Sequence, residues 1–154
     1  MSLFEQYNRL EEPQKRGQAT EATVTAELIA RDVSVLTPAY DNEPYDLVAE
    51  IGGRFYRIQA KTAFDGKRDS TVEFRTRSVR TKSDGYEREG YEGEIDYFSV
   101  LNVREEEIYL VTIEEAGSTA TTIRYEPAAN NNRANVNWHE EYRLDTVPDG
   151  LRSG

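Results

Sequence analysis

Residues 45–63 read YDLVAEIGGRFYRIQAKTA, two strand-like runs hinged on a glycine pair. Tight hairpin turns that suit the twist of paired strands need positive φ, which Gly52 and Gly53 supply without steric cost. The pattern therefore predicts a hairpin joining residues 45–51 to residues 54–63. On the return strand Phe55, Arg57, Gln59 and Lys61 share one face, and Tyr56, Ile58 and Ala60 share the other. Asp46 interrupts an otherwise apolar strand across that hairpin from Gln59 and Lys61.

Upstream, residues 14–31 (QKRGQATEATVTAELIAR) predict a helix, with Thr20 an alternative local cap. Val24 and Leu28 stand four apart, and Ala22, Ala26 and Ile29 are expected to widen the apolar stripe. Glu21 lies three residues before Val24 and so projects from the face expected to be buried, where a carboxylate needs a partner or a metal. Further strands are expected at 33–37, 70–77, 97–102 and 107–113, with an edge strand at 120–125. Glycines and tyrosines from 85 to 93, including Tyr86, Arg88 and Tyr91, predict a loop that serves as a groove contact or lid. A helix, a meander and further strands make an α+β domain. Its expected limits are 14–126, between an N-terminal extension (1–13) and a partly flexible C-terminal extension (127–154).

The chain has 154 residues, the size of one domain, and no cysteine, which excludes disulfides and thiolate zinc sites. One histidine, His139, leaves no imidazole zinc site; it and Trp138 are expected to pack or lie exposed. No apolar run has the length of a membrane span, and the start lacks the apolar stretch of a leader, so a soluble cytoplasmic protein is expected. The net charge is −10, and the 19 basic residues include four lysines, Lys15, Lys61, Lys67 and Lys82. An acidic, lysine-poor surface stays soluble under heavy salt screening, which predicts a halophilic source.

Asp46, Gln59 and Glu21 offer oxygen ligands of the kind a hard divalent cation such as Mg²⁺ prefers. Lys61 adds a compact charge that can orient a water nucleophile or stabilise a phosphoryl group in transfer. Structural roles are open for each residue. Asp46 could cap the turn after Pro44, Gln59 and Lys61 could line an exposed edge, and Glu21 could pair with Lys15 or Arg16. Asp96 reads as a strand-start residue.

The ordered set Glu21, Tyr45-Asp46-Leu47-Val48 and Ile58-Gln59-Ala60-Lys61-Thr62-Ala63 resembles the PD-(D/E)XK nuclease superfamily. Within it, the branch of group I intron-associated homing endonucleases with a Q-x-K motif is most similar. Residues 17–22 (GQATEA), 94–100 (EIDYFSV) and 108–111 (IYLV) extend the resemblance over roughly 14–115. It implies a restriction-endonuclease-like core with a mixed central sheet. It also implies a metal-dependent endonuclease acting on DNA, with Mg²⁺ (Mn²⁺ as substitute) as cofactor. Asp46 becomes the bridging metal ligand, Gln59 the replacement for the second acid, Lys61 the catalytic lysine and Glu21 the helix-borne acid. The main-chain carbonyl of Ala60 becomes an extra ligand. Tyr45 stands where proline precedes the aspartate, and Gln59 removes one negative charge. Two alternatives share the fold: a structure-selective nuclease like a Holliday-junction resolvase, and a catalytically inactive nucleic-acid-binding module.

A net-negative chain binds DNA only through local charge. Residues 67–82 (KRDSTVEFRTRSVRTK) carry Lys67, Arg68, Arg75, Arg77, Arg80 and Lys82 against Asp69 and Glu73, a net +4 that leaves −14 for the rest. Arg75 and Arg77 are expected on one strand face, toward phosphates, with Val72 and Phe74 inward. A solvated charge run is the alternative. A chain this short needs a symmetric homo-oligomer, a dimer or tetramer, to cut both strands.

Overall fold

The computed structural model describes residues 1–40, 42–82, 85–90, 93–127 and 136–145, with backbone alone for 78–82 and 85–90. In chain order it comprises α1 (Leu3–Arg9), α2 (Pro13–Ala30), β1 (Ser34–Leu36), β2 (Leu47–Ile51), β3 (Arg54–Asp65) and β4 (Thr71–Arg75). There follow β5 (Arg77–Lys82), β6 (Gly85–Gly90), β7 (Tyr97–Asn102), β8 (Glu107–Thr112), β9 (Ala120–Arg124) and a 3₁₀ turn at His139–Glu141.

Gly52 and Gly53 take φ of 60° and 79°, the left-handed values the hairpin requires. The register runs from Leu47 opposite Ile58 to Ile51 opposite Arg54. The 12-residue β3 organises the sheet because it has three partners. Its first half pairs with β2, residues 58–63 pair in parallel with β7, and Phe64 and Asp65 pair with β4. β1, β9 and β8 complete seven strands, while β5 and β6 form a separate two-stranded sheet. With β3 and β7 parallel and its other pairings antiparallel, the central sheet is mixed, as expected of the α+β domain.

α2 lies on one face of this sheet, where Val24 and Leu28 meet Leu47, Ala49, Ile58, Leu101 and Leu110. A second cluster on the other face joins Val72, Phe74, Phe98, Val100, Tyr109 and Ile123. β7 is therefore covered on both sides, and this is why YFSVLN is an apolar run rather than an alternation.

Several local expectations are corrected. The buried stripe of α2 is Thr20, Val24 and Leu28, spaced by four; Ala22, Ala26 and Ile29 face solvent, Ile29 with 57 % of its surface exposed. At 100° per residue, Ile29 is rotated a quarter-turn away from Leu28. Thr20 is no cap, since Pro13 starts the helix; its hydroxyl meets Tyr7 Oη at 3.0 Å and Thr62 Oγ1 at 2.6 Å. The strand expected to reach residue 77 ends at Arg75, and Arg77 opens β5. Residues 85–90, expected as a loop, pair with β5 as β6; the side chains of Tyr86 and Arg88, and Tyr91 altogether, lie outside the described residues.

Parts of both expected extensions also pack on the core. Ser2 and Glu5 form a reciprocal capping box on α1, whose Tyr7 is buried. Near the other end Tyr142 and Leu144 are buried, held by a polar cluster around Glu107. Its carboxylate meets His139 Nδ1 at 2.8 Å and accepts from Tyr109 Oη at 2.8 Å and Arg143 Nη2 at 2.8 Å. Asn102 Nδ2 donates to Tyr109 Oη at 2.9 Å. His139 thus packs, as expected. Among the described residues no helix is long and apolar enough to cross a membrane.

Candidate active site

The site grows out of a gap in the sheet. Asp46 N donates to the Ile58 carbonyl at 2.9 Å, the last rung of the β2–β3 ladder, and the two strands then part. Asp46 Oδ2 takes the next rung's place, accepting from Ala60 N at 2.8 Å. Further along the same edge, Gly66 N donates to Thr71 O at 2.9 Å, at the mouth of β4. Between Ala60 and Phe64 no described strand covers this edge, and strand alternation turns the Ala60 carbonyl and the Thr62 backbone toward it. The opposite edge is held by β7 through the same residues. The gap thus exposes backbone polar groups on a segment anchored along its whole length.

Asp46 begins as the first residue of this gap, and Gln59 and Lys61 flank Ala60 with their side chains on the face opposite Thr62. All three are half-buried. Burial pushes the Asp46 carboxyl above the ordinary carboxylate range, although the Ala60 amide and the Lys61 charge both pull it down. Burial likewise draws the Lys61 ammonium below its ordinary value, against the pull of Asp46. The structure therefore brings Asp46, Ala60 and Lys61 together, and Asp46 is not a turn cap after Pro44. Glu21 is half-buried on α2, next to Thr20, whose hydroxyl bonds Thr62 on the gap segment.

A cleft of about 580 Å³ opens on this segment, lined by Arg16 and Gly17 of α2, by Ala60, Lys61 and Phe64 of β3, and by Lys67 and Arg75. The donor set suits a hard cation. Asp46 carries a half-buried carboxylate whose desolvation its neighbours do not offset, a deficit that a positive ion would correct. Among the described residues no three carboxylate or imidazole side chains converge to hold a metal alone. An ion here would draw on Asp46 together with neutral oxygens, the Gln59 amide and the Ala60 carbonyl.

Of the expected DNA contacts, Lys67 and Arg75 are exposed and line the cleft beside Lys61. Lys67 and Arg68 also line an adjoining groove of about 490 Å³ with Arg124. Arg77 turns its Nε to the Ser118 carbonyl. The side chains of Arg80 and Lys82 lie outside the described residues. Asp96 is structural: Oδ2 accepts from Arg57 N at 2.8 Å and ties β3 to β7. Sequence reasoning missed Arg16, five residues before Glu21 on the same helix, and Phe64, three residues beyond Lys61; their spacing from those two residues was the available signal.

Comparison with curated proteins gives no match. Among solved structures, that of a bacterial homing endonuclease, I-Ssp6803I, superposes with a TM-score of 0.72 at 17 % identity, covering 93 % of this chain and 99 % of that one. At that identity the likeness establishes the fold, including its restriction-endonuclease-like core. The family model described as PD-(D/E)XK endonuclease matches residues 11–145. That match takes in α2, the parted strands β2 and β3, the clasp of Asp46 on Ala60 and the C-terminal segment held by Glu107, and by it the chain belongs to the PD-(D/E)XK endonuclease family.

Proposed function

We propose that this protein is a divalent-metal-dependent endonuclease that hydrolyses phosphodiester bonds in DNA. The observation that carries the reading is the pairing of Asp46 with Lys61, a lysine that lines a cleft with a basic rim, in a chain of this family. Asp46, Gln59, the Ala60 carbonyl and Glu21 are the residues that would hold the ion, Mg²⁺ by preference for hard oxygen ligands. Once bound, such an ion supplies Lewis-acid charge at the phosphate and lowers the pKa of water.

The chain's own residues do the rest. The Ala60 amide fixes Asp46 by one oxygen, which leaves the second directed away from the clasp. Lys61 neutralises charge that builds on the phosphoryl oxygens and orients the attacking water. Its half-buried position strengthens that interaction, because the surrounding dielectric is low. Arg16, Lys67 and Arg75 hold flanking phosphates, preferring bidentate contacts where arginine serves. The described part of the chain presents one such site, so cutting both strands requires a second copy. Homing-type cleavage of long duplex sites is the favoured form, since the superposed structure belongs to a homing endonuclease.

The test is cleavage of supercoiled plasmid and of a synthetic four-way junction, with Mg²⁺ or Mn²⁺, from low to molar KCl. Metal-dependent cutting that Lys61→Ala abolishes supports the reading, and a preference for the junction would move it to the resolvase form. Cutting that survives in both Asp46→Asn and Lys61→Ala would refute the site. No cutting and no heat of metal binding in the presence of DNA would make the chain an inactive member.

A further inference from the structure

Phe64 is one of the large apolar side chains left in water. With 59 % of its surface exposed, it stands on β3 three residues beyond Lys61, at the wall of the catalytic cleft. Its backbone is firmly held: Phe64 pairs with Glu73 on β4, and the following Asp65 accepts from Arg104 Nε and Nη2, both at 2.7 Å. The ring thus stands largely in solvent on a fixed backbone.

On its far side lies a second hollow of about 450 Å³, bounded by Phe4, Asn8, Arg16, Phe64, Asp65 and Arg104 among others. Its volume falls in the range of roughly 300–1,000 Å³ usual for small-ligand sites. The Arg104 guanidinium lies 3.8 Å from the centroid of the Phe4 ring, a stacked pair that the ion pair with Asp65 keeps in place. Aromatic rings and guanidinium planes are the surfaces on which unstacked bases settle. Asn8, exposed on α1, adds an amide that can meet a base edge. Phe64 and Arg16 border both the cleft and the hollow, so Phe64 forms the ridge between them.

We propose that Phe64 wedges between stacked bases beside the scissile phosphate, and that the displaced base enters the hollow against the Phe4–Arg104 stack. Apolar side chains inserted at a base step unstack it and bend the duplex. The inference rests on the nuclease reading above. It adds that the substrate is distorted duplex and that α1, outside the catalytic core, contributes to recognition.

The experiment measures affinity by fluorescence anisotropy, in Ca²⁺ to prevent turnover, for two short duplexes. One is fully paired and the other carries a single unpaired 2-aminopurine, which spares the wedge the cost of unstacking. The protein is expected to bind the bulged duplex about 5- to 150-fold more tightly, the range of one base–aromatic stack. Phe64→Ala should abolish this preference and Phe64→Trp should keep it. Equal affinity of the unaltered protein for both duplexes, or an unchanged preference in Phe64→Ala, overturns the proposal. Thermal melts establish that the variants fold, as the exposure of Phe64 leads one to expect. Plasmid cleavage by the unaltered protein separates the two failures. Cleavage without bulge preference sinks the wedge alone, whereas no cleavage and no DNA binding sinks the nuclease reading and the wedge with it.

Discussion

The clasp between Asp46 and Ala60 makes two substitutions at one position diverge in stability while agreeing in activity. Asp46→Asn keeps an oxygen that can accept from Ala60 N, now 2.8 Å from Oδ2, and removes a charge whose burial is unfavourable. Asp46→Ala removes the acceptor and leaves a half-buried amide without its partner, at a cost of about 1–3 kcal/mol. In metal-free buffer near neutral pH, the asparagine variant should be at least as stable as the unaltered protein. The alanine variant should fall below the asparagine variant by about 1–3 kcal/mol, or about 0.5–2 M in urea midpoint for a domain of this size. Both should lose more than about 100-fold in plasmid cleavage, the upper end of losses for residues that merely support a metal ligand. Urea melts by circular dichroism in EDTA and gel assays of supercoiled plasmid supply the two readouts. If Asp46→Ala matches Asp46→Asn in stability, the carboxylate does not replace a ladder rung; if Asp46→Asn cuts normally, its charge does not serve catalysis.

Lys61→Arg should fail to restore the cleavage lost in Lys61→Ala, because a planar fork cannot take the place of a compact ammonium in a half-buried cleft; single-turnover rates decide this. Gln59→Glu should tighten binding of Mn²⁺ by adding an anionic ligand, seen as a lower Kd in calorimetry with DNA present; an unchanged Kd would exclude Gln59 from the ligand set. Burial alone would raise the Glu107 carboxyl, yet hydrogen bonds from His139 and Tyr109 and the Arg143 charge hold it below its ordinary value of 4.5. Its contribution to stability is therefore complete above that unfolded value and is lost as pH falls through the lower folded value. The urea midpoint of Glu107→Gln should accordingly depend less on pH across that acid range, and an unaltered pH dependence would refute the assignment.

What could be read from the chain follows the range over which each signal acts. The β2–β3 hairpin was legible because a two-glycine turn and strict alternation are local, and both glycines do take positive φ. β7 and β8 were legible as apolar runs of strand length. The parallel pairing of Ile58–Ala63 segment residues with 97–102 leaves no local mark, so the open edge beside Ala60 was not foreseen. α1 was missed although Ser2 and Glu5 spell a capping box, since seven residues offer little periodicity. β6, GYEREG, has neither branched residues nor alternation. The Glu107–His139 contact spans 32 residues and stayed invisible for the same reason as the parallel pair. The resemblance named Asp46, Gln59, Lys61 and Glu21; the physical account of why Asp46 sits there, as a substitute rung on Ala60 next to Lys61, came only with the fold.

The parting of β2 from β3 links the chemistry to the architecture. A strand that loses a partner must satisfy its exposed backbone, and Asp46 does so for Ala60 at the expense of burying a carboxylate. A buried carboxylate needs positive charge, which Lys61 supplies only in part because it is desolvated itself. A cation, as proposed above, would meet the residual demand, and the Ala60 carbonyl stands on the edge opposite β7, where it would help to hold it. Gln59 would contribute an oxygen without a further charge, so the site carries less negative charge than one with a second acid there. With Gln59 in the ligand set, more of a bound ion's positive charge would stay unneutralised and available to a phosphate. In a chain of net charge −10, that local surplus of positive charge, with Arg16, Lys67 and Arg75 at the rim, is what would draw a polyanion to this cleft under the proposed function.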